Sequence, residues 1–525
     1  SRTERGTDII LHIDSESEEF LSKDRLSTLL NKYCKFLPVP IVFGKKQEWK
    51  DGAYVDTDED NQINDVHPAW TKKPSELKDE DYISFYHQLY PQTFEEPLFW
   101  IHLNVDYPFN LTGILYFPKV KNQMELQRNK IQLYANQVFV TEDVEGIVPE
   151  YLTLLHGVID SPDIPLNVSR SYLQSDAQVK KISNHISKKV ADRLDELFRN
   201  ERSLFEEKWE SLKVFVQYGM LSDEKFYDRA VKFDLVTDID GKHFTLDEYR
   251  TLTEGEQTDK EGQLVWLYTN DRNSQYTAIE RAKAKGYSVL LLDGPLDVHA
   301  VSQLEQKLEK TRFVRVDSDS IDKLIAKDEQ RAVSLSDVEQ KALKALFEGR
   351  LPREEKRNYS VSLEALGADA DAVLITQGEF MRRMQEMARL QPGMNFYGEL
   401  PEGYNVVLNT EHPLIQRLLA SEKEVVEPKL STLRAELQEQ SELVEAARTV
   451  QSAKKPEEVS VAEREELDAL TSKQAELEGK ISEEIKKFGS EELLVGQLVD
   501  LALLGNGLLS GEALAAFIRR SQQLL

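Results

Sequence analysis

Cysteine occurs once in these 525 residues, at Cys34, which excludes an intrachain disulfide and suits a reducing, cytoplasmic setting. Basic neighbours in Asn31-Lys32-Tyr33-Cys34-Lys35-Phe36 could make that thiol reactive, but a partly buried, inert cysteine is the favoured reading. Histidine is scarce and scattered: nine residues, with no pair at metal-ligand spacing and no Ser-His-Asp or Cys-His arrangement. A self-contained hydrolase or metalloenzyme is therefore the least favoured class, and no metal is expected. No apolar run is long enough to span a bilayer; Leu493 to Leu509 is interrupted by Gln497, Asp500 and Asn506. Basic charge is also short. Sixty-six Lys and Arg face 93 Asp and Glu, a net charge of −27, which disfavours nucleic acid because phosphate binding depends on cationic side chains. The same excess keeps a chain soluble while it exposes apolar surface.

What is present is a chain long enough for three or four cores, with 40% hydrophobic and 30% charged residues. The alternating run Asp8 to Asp14 predicts a strand, and Lys23 to Phe36 a helix with Leu26, Leu29 and Leu30 inward. Gln47 to Asn64, rich in Asp and Asn, predicts a flexible hairpin or loop. Asp79 to Leu89 reads as helix, Phe99 to Val105 and Thr112 to Phe117 as strands, and Lys119 to Arg128 as a polar loop. Gln178 to Phe198 repeats Val179, Ile182, Ile186, Val190, Leu194 and Leu197 at helical spacing. Together these predict a large α/β domain over residues 14–255.

A smaller unit over 256–318 has the order β-α-β-α-β, from Leu264 to Val316, which implies a small parallel sheet. Gly294 lies at a strand end there without any phosphate-cradling glycine pattern, so the unit reads as scaffold. From 319 to 525 the chain predicts a helix-rich α+β domain, with short strands near Asn358 to Leu363 and Ala372 to Ile375. Within it Met381, Met384 and Met387 recur at three-residue spacing. Such a stripe fits either an adaptable binding surface or a core or dimer-facing seam.

Leu430, Leu433, Leu437, Val444 and Ala447 follow a heptad with Gln440 at the remaining seam position. After Pro456, Leu467, Leu470, Gln474, Leu477, Ile481 and Phe488 begin a second series, which together predicts an antiparallel coiled-coil hairpin. At ~1.5 Å per residue a helix of roughly thirty residues would project roughly 45 Å, and its partner could equally be another subunit. The last two helices, Glu492 to Leu504 and the one starting at Ser510, carry Leu498, Leu501, Leu514, Phe517 and Ile518. That much apolar surface needs cover, and a four-helix bundle with a second copy supplies it. A homodimer is expected.

One segment carries chemistry. Leu166-Asn167-Val168-Ser169-Arg170-Ser171-Tyr172-Leu173-Gln174 places an arginine on the first turn of a short helix, with Ser169 as N-cap and Gln174 one turn on. Such an arginine can reach the phosphate tail of a nucleotide held elsewhere. Alone, such an arginine is far more often an ordinary surface residue. Its context is Asn129-Lys130-Ile131-Gln132-Leu133-Tyr134, then Val138-Phe139-Val140, Val148-Pro149-Glu150-Tyr151-Leu152 and Gly157-Val158-Ile159-Asp160-Ser161. Upstream lie His67-Pro68-Ala69-Trp70-Thr71 and Tyr82-Ile83-Ser84-Phe85-Tyr86; the chain closes on Ala516-Phe517-Ile518-Arg519-Arg520-Ser521-Gln522-Gln523-Leu524-Leu525.

This ordered series resembles the middle and C-terminal domains of the heat shock protein 90 chaperones, in particular their bacterial branch. The resemblance implies that Arg170 contacts the terminal phosphate of ATP, supported by Gln174 and the neighbouring Asn167. It also implies homodimerisation, and client-protein contacts at Trp70, Met124, Leu126 and the Met381, Met384, Met387 stripe. Trp70 equally fits a buried core anchor. His299 stands where the bacterial branch can place a client-binding tryptophan. The family's ATP-site signatures, a Glu–Asn helix and an Asp-x-Gly-x-Gly loop, do not occur in the sequence. Residues 1–13, around Arg5-Gly6-Thr7-Asp8-Ile9-Ile10-Leu11-His12, resemble the crossing from the ATPase domain, and Ser1 in place of Met fits a boundary cut there. The expectation is thus a fragment that holds the arginine but neither ATP nor Mg and does not turn over ATP alone. Residues from about 420 to 488 depart from the family pattern as an insertion. The rival reading is a coiled-coil scaffold that binds a fixed partner with no ATP cycle.

Overall fold

The structure, a computed structural model, describes residues 5–50, 52–119, 130–144, 146–164, 177–327, 331–390, 401–454 and 459–524. The chain forms two compact units, Ser1–Leu235 and Val236–Leu525.

In the first unit, helix α1 (Lys23–Tyr33) is followed by an antiparallel hairpin of β1 (Val42–Lys50) and β2 (Ala53–Gln62). Of the hairpin and the loop expected for the Asp-rich stretch, the structure has the hairpin, held by cross-strand bonds such as Gln47 Nε2 to Asp56 at 2.8 Å. Helix α2 (Asp79–Leu89) precedes strands β3 (Phe99–Val105), β4 (Leu111–Phe117), β5 (Lys130–Ala135), β6 (Val138–Thr141) and β7 (His156–Asp160). Their order is β3-β4-β7-β5-β6, antiparallel except for the parallel β5–β7 pair. Phe36, Trp70, Phe85 and Tyr86 bury one cluster against Ile114, Tyr116 and Val158 of the sheet. Helices α3 (Ala177–Asn200), α4 (Arg202–Ser222) and α5 (Glu224–Ala230) add a second apolar layer, where Phe117 meets Phe215 at 5.4 Å. Strands such as β4 are buried on both faces, which explains their near-continuous apolar sequence.

The run Asp8 to Asp14 is not a strand. It belongs to no ladder, and Ile9, Ile10 and Leu11 are exposed. An alternating pattern gives no strand when the backbone has no neighbour to bond.

The second unit opens with a ribbon of β8 (Leu235–Thr237) and β9 (His243–Thr245), then helix α6 (Leu246–Gln257). The β-α-β-α-β expectation matches β10 (Leu264–Thr269), α7 (Tyr276–Ala284), β11 (Val289–Leu291), α8 (Asp297–Lys307) and β12 (Thr311–Arg315). All three strands are parallel, in the order β11-β10-β12. A short α9 (Ile321–Leu324) and α10 (Asp337–Glu348) lead to β13 (Arg357–Glu364), β14 (Val373–Thr376), α11 (Glu379–Leu390) and β15 (Glu402–Asn409). These strands form a sheet of order β13-β15-β14, parallel at β13–β15 and antiparallel at β15–β14. The central strand β15 escaped the sequence pattern.

Helices α12 (Pro413–Val425), α13 (Glu427–Ser452), α14 (Val461–Glu491), α15 (Leu493–Gly505) and α16 (Gly511–Leu524) complete the unit. Along α13 and α14 the seam residues Leu430, Val444, Leu477 and Ile481 are buried. Gln440 is buried as well, and donates from Nε2 to the Leu470 carbonyl at 2.9 Å, so the polar seam position ties one helix to the other. The base of α14 crosses α10 through glycines. A Cβ on Gly489 would stand 2.0 Å from the Leu346 carbonyl oxygen, and one on Gly349 2.2 Å from that of Lys486.

Glu422, one turn before α12 hands over to α13, is buried in this core, and its Oε1 has no hydrogen-bond partner among the described residues. The charged groups near it are Glu427 and Arg434 of α13, themselves paired, and Lys423 of its own helix, which pairs with Glu339 of α10. Burial, then the Glu427 carboxylate, pushes its pKa from 4.5 up to about 7. The folded state therefore keeps a proton that the unfolded chain releases between these two values. Stability from this group is fully present below pH 4.5 and is lost as pH rises towards 7. Replacing it in Glu422→Gln should raise stability at pH 8 by ~2 kcal/mol relative to the parent, and by much less at pH 5. Denaturant titrations at both pH values check this; equal differences at the two would count against it.

Candidate functional site

Strand β7, His156-Gly157-Val158-Ile159-Asp160, is wholly buried and leads directly towards the arginine-bearing segment. Gly157 sits at φ +135°, and a Cβ there would lie 2.0 Å from the Ile114 carbonyl oxygen, so only glycine lets β7 close on β4. At the end of the strand Asp160 Oδ2 accepts from Trp70 Nε1 at 3.1 Å and from the Gln137 amide at 2.9 Å. Burial pushes this carboxyl's pKa up, while those bonds oppose the rise. Ser161 continues the clamp. Its amide donates to Tyr134 O at 3.1 Å and its hydroxyl to Asn110 O at 2.7 Å, while Asp163 accepts from the Asn110 amide at 2.7 Å.

Downstream, α3 is seated by Val179, Ile182, Ile186 and Val190, all buried. Ser187 hydrogen-bonds the Tyr151 hydroxyl at 2.7 Å and donates to Asp223 at 3.2 Å. Both flanks of the segment are thus fixed to one core. Asn167, Arg170 and Gln174 themselves lie outside the described residues, as do Met124 and Leu126.

Trp70 is not a surface contact. It is fully buried, its ring 4.8 Å from Phe36, 5.2 Å from Tyr134 and 5.5 Å from Phe85, with its indole N–H bound to Asp160. Of its two readings the core anchor is the one the structure supports. His299, on α8, is partly exposed.

Helix α11, which carries the methionine stripe, meets the small parallel sheet through charge. Arg315 of β12 makes a bidentate pair with Glu386 at 2.8 Å, Arg382 pairs with Asp317 at 2.6 Å, and Arg383 with Glu305 at 2.7 Å. Tyr268 donates to Glu379 at 2.5 Å. Arg315 and Arg382 are buried, so these are desolvated pairs, in which removing one partner strands the other. Met384 is half-buried, whereas Phe380 is 74% exposed; the side chains of Met381 and Met387 lie outside the described set. The spacing Glu379, Arg383, Glu386 places this signal on one helical face, opposite Met384.

On the terminal helices Leu501 is 54% and Ile518 49% exposed, while Leu514 and Phe517 are partly buried against the unit's own core. Leu498, expected at a subunit contact, is instead buried within its own unit. The two helices are joined by Arg520, which is buried and pairs with Asp500, and by Gln497, which donates to Ser521 Oγ at 2.8 Å. Among the described residues no helix is long and apolar enough to cross a membrane.

Layered α/β units followed by a helix-rich module define a multi-domain protein. The family model described as Hsp90 protein matches residues 44–487, and the chain belongs to the Hsp90 family of chaperones. It is 66% identical over 524 residues to the chaperone protein HtpG of Porphyromonas gingivalis W83, covering all of this chain and 76% of that protein. It is 56% identical to HtpG of Bacteroides fragilis 638R, covering all of this chain and 77% of that relative. HtpG of Idiomarina loihiensis is 30% identical over 448 residues, 80% of this chain and 67% of that protein. The matches to the Porphyromonas and Bacteroides proteins run through residues 420–488 as through the rest of the chain. Nothing in these relationships favours the scaffold reading.

Proposed function

We propose that this chain is the client-handling and dimerising portion of an ATP-driven, cytoplasmic HtpG-type chaperone. The observation that carries the reading is the end-to-end similarity to HtpG, 66% identical over 524 residues. In this reading ATP and Mg are held by a domain outside the chain, and the 525 residues alone do not turn ATP over. Arg170 reaches the terminal phosphate and stabilises the charge that develops on it, with Gln174 and Asn167 supporting its placement. The fixed flanks at Asp160–Asp163 and α3 support this role, because an arginine finger works only from a rigid base.

Leu501 and Ile518 are the exposed apolar positions through which two copies would pair, with Leu514 and Phe517 behind them. Non-native clients would meet the exposed side of α11 around Phe380 and Met384, with Met381, Met387, Met124 and Leu126 as further candidates. The first test is suppression of aggregation of a chemically unfolded protein by the complete chaperone with ATP; no suppression at stoichiometric amounts would sink the reading. For the dimer, Leu501→Asp combined with Ile518→Asp should weaken self-association by about a hundredfold or more. Sedimentation equilibrium checks this, and an unchanged dimer would move the interface elsewhere.

A further inference from the structure

Among the described residues strand β14 is an edge strand, paired only with β15. The Asn409 amide donates to the Ala372 carbonyl at 3.0 Å, and the antiparallel register then places the backbone groups of residues 372, 374 and 376 towards β15. The N–H and C=O groups of Val373 and Ile375 point the other way. Among the described residues they have no hydrogen-bond partner, although Val373 is only 8% and Ile375 only 5% exposed. Buried backbone donors and acceptors are almost always paired, so two unpaired residues on one edge call for an explanation.

They face a cleft of about 660 Å³ within the second unit. One wall is β14 with the turn before it; the others are α7, residues 316–322 and α15. Ala278, Leu498 and Ala502 line it with apolar surface. Of the aspartates there, Asp371 pairs with Arg281, Asp322 with Lys285 and Asp317 with Arg382, which leaves Asp319 and Asp369 as the rim carboxylates without an ion pair among the described residues. An acidic rim around an apolar strip rejects acidic segments and favours basic ones.

We propose that this cleft binds an extended polypeptide segment by strand addition to the free edge of β14. The bound segment has apolar side chains at alternate positions and Lys or Arg at its flanks. The main-chain groups of Val373 and Ile375 supply register, as in other strand-addition sites, and the cleft walls read every second side chain. A four-residue strand spans about 13 Å, so the site takes roughly four or five residues. The geometry stands without the chaperone reading; only the biological purpose, capture of unfolded client segments, rests on it.

The test uses the dimeric protein and a fluorescent, N-acetylated, C-amidated Arg-Val-Thr-Val-Arg peptide, with binding followed by anisotropy and by amide hydrogen exchange. Binding should slow exchange at Val373 and Ile375 at least tenfold and leave Leu374, already bonded to β15, unchanged. A peptide N-methylated at alternate amides, and one flanked by Glu, should each bind at least tenfold more weakly. Val373→Pro removes one outward N–H outside the β15 ladder and should weaken binding to a similar degree. Should that variant fail to fold, Asp319→Lys with Asp369→Lys changes only the rim and should do the same for the basic peptide. Equal affinity for the N-methylated peptide, protection confined to residues outside 371–377, or binding to dissociated monomer alone would overturn the proposal, the last by showing that a second copy covers the cleft. Aggregation suppression, measured separately without peptide, reports on the chaperone reading: its loss with Val373 and Ile375 still protected would sink that reading and leave this one.

Discussion

In the complete ATP-binding chaperone, Arg170→Ala should lower ATP turnover at least about tenfold while leaving nucleotide affinity within about twofold. A guanidinium that meets the terminal phosphate chiefly as charge develops contributes to the transition state and little to ground-state binding, so the loss falls on kcat. Arg170→Lys should recover only part of it, because a point charge cannot reproduce a planar fork of donors. Gln174→Ala should act in the same direction and more weakly, since its role is to hold the arginine in place. The same substitutions in the 525-residue chain alone should change nothing in its folding. Turnover unchanged in Arg170→Ala, with the protein folded and nucleotide-bound, would make the arginine an ordinary surface residue.

Periodicity exposed the elements whose burial is one-sided or whose neighbours are close in sequence. Helix α2 was legible as Asp79 to Leu89, and α3 from the spacing Val179, Ile182, Ile186, Val190. The small parallel sheet was legible because strands and helices alternate at regular intervals between Leu264 and Arg315. Where an element depends on a distant partner, the pattern misled. The apolar run Ile9, Ile10 and Leu11 reads like a strand yet has no ladder, whereas Glu402 to Asn409 is the centre of a sheet with little alternation. That strand is fixed by Val361 and Ile375, its partners in the register, 45 and 31 residues before Val406.

The site was legible only as a motif. Arg170 and Gln174 came from an ordered series of segments, while the clamp that holds their flank depends on Asn110, Gln137 and Trp70, far apart in sequence. The open edge of β14 has no signal in sequence, because it depends on β15 being the strand's only partner among the described residues. Trp70 and Leu498 show the commonest ambiguity. A large apolar residue in a motif reads the same whether it faces a partner or its own core, and here both face inward.

That inward position sets the second large effect. Trp70→Ala should destabilise the first unit by about 3–5 kcal/mol, as expected when a fully buried aromatic is removed and its surroundings cannot collapse. Rings of Phe36, Phe85 and Tyr134 surround the indole, so the cavity has rigid walls. Trp70→Phe should cost about half as much: most of the apolar contact survives, but Asp160 loses the indole N–H and keeps the Gln137 amide. Chemical unfolding followed by near-UV circular dichroism measures both. The Phe variant, still folded, has a further use. Asp160 stands at the head of the clamp that leads to Arg170, so loosening it should lower turnover of the complete chaperone a fewfold and leave the affinity for an unfolded client unchanged. A tryptophan acting at the surface predicts the opposite pair of results, lost client binding at full stability and full turnover. The two variants therefore separate an anchor that positions the arginine's base from a residue that touches clients, without reference to Arg170 itself.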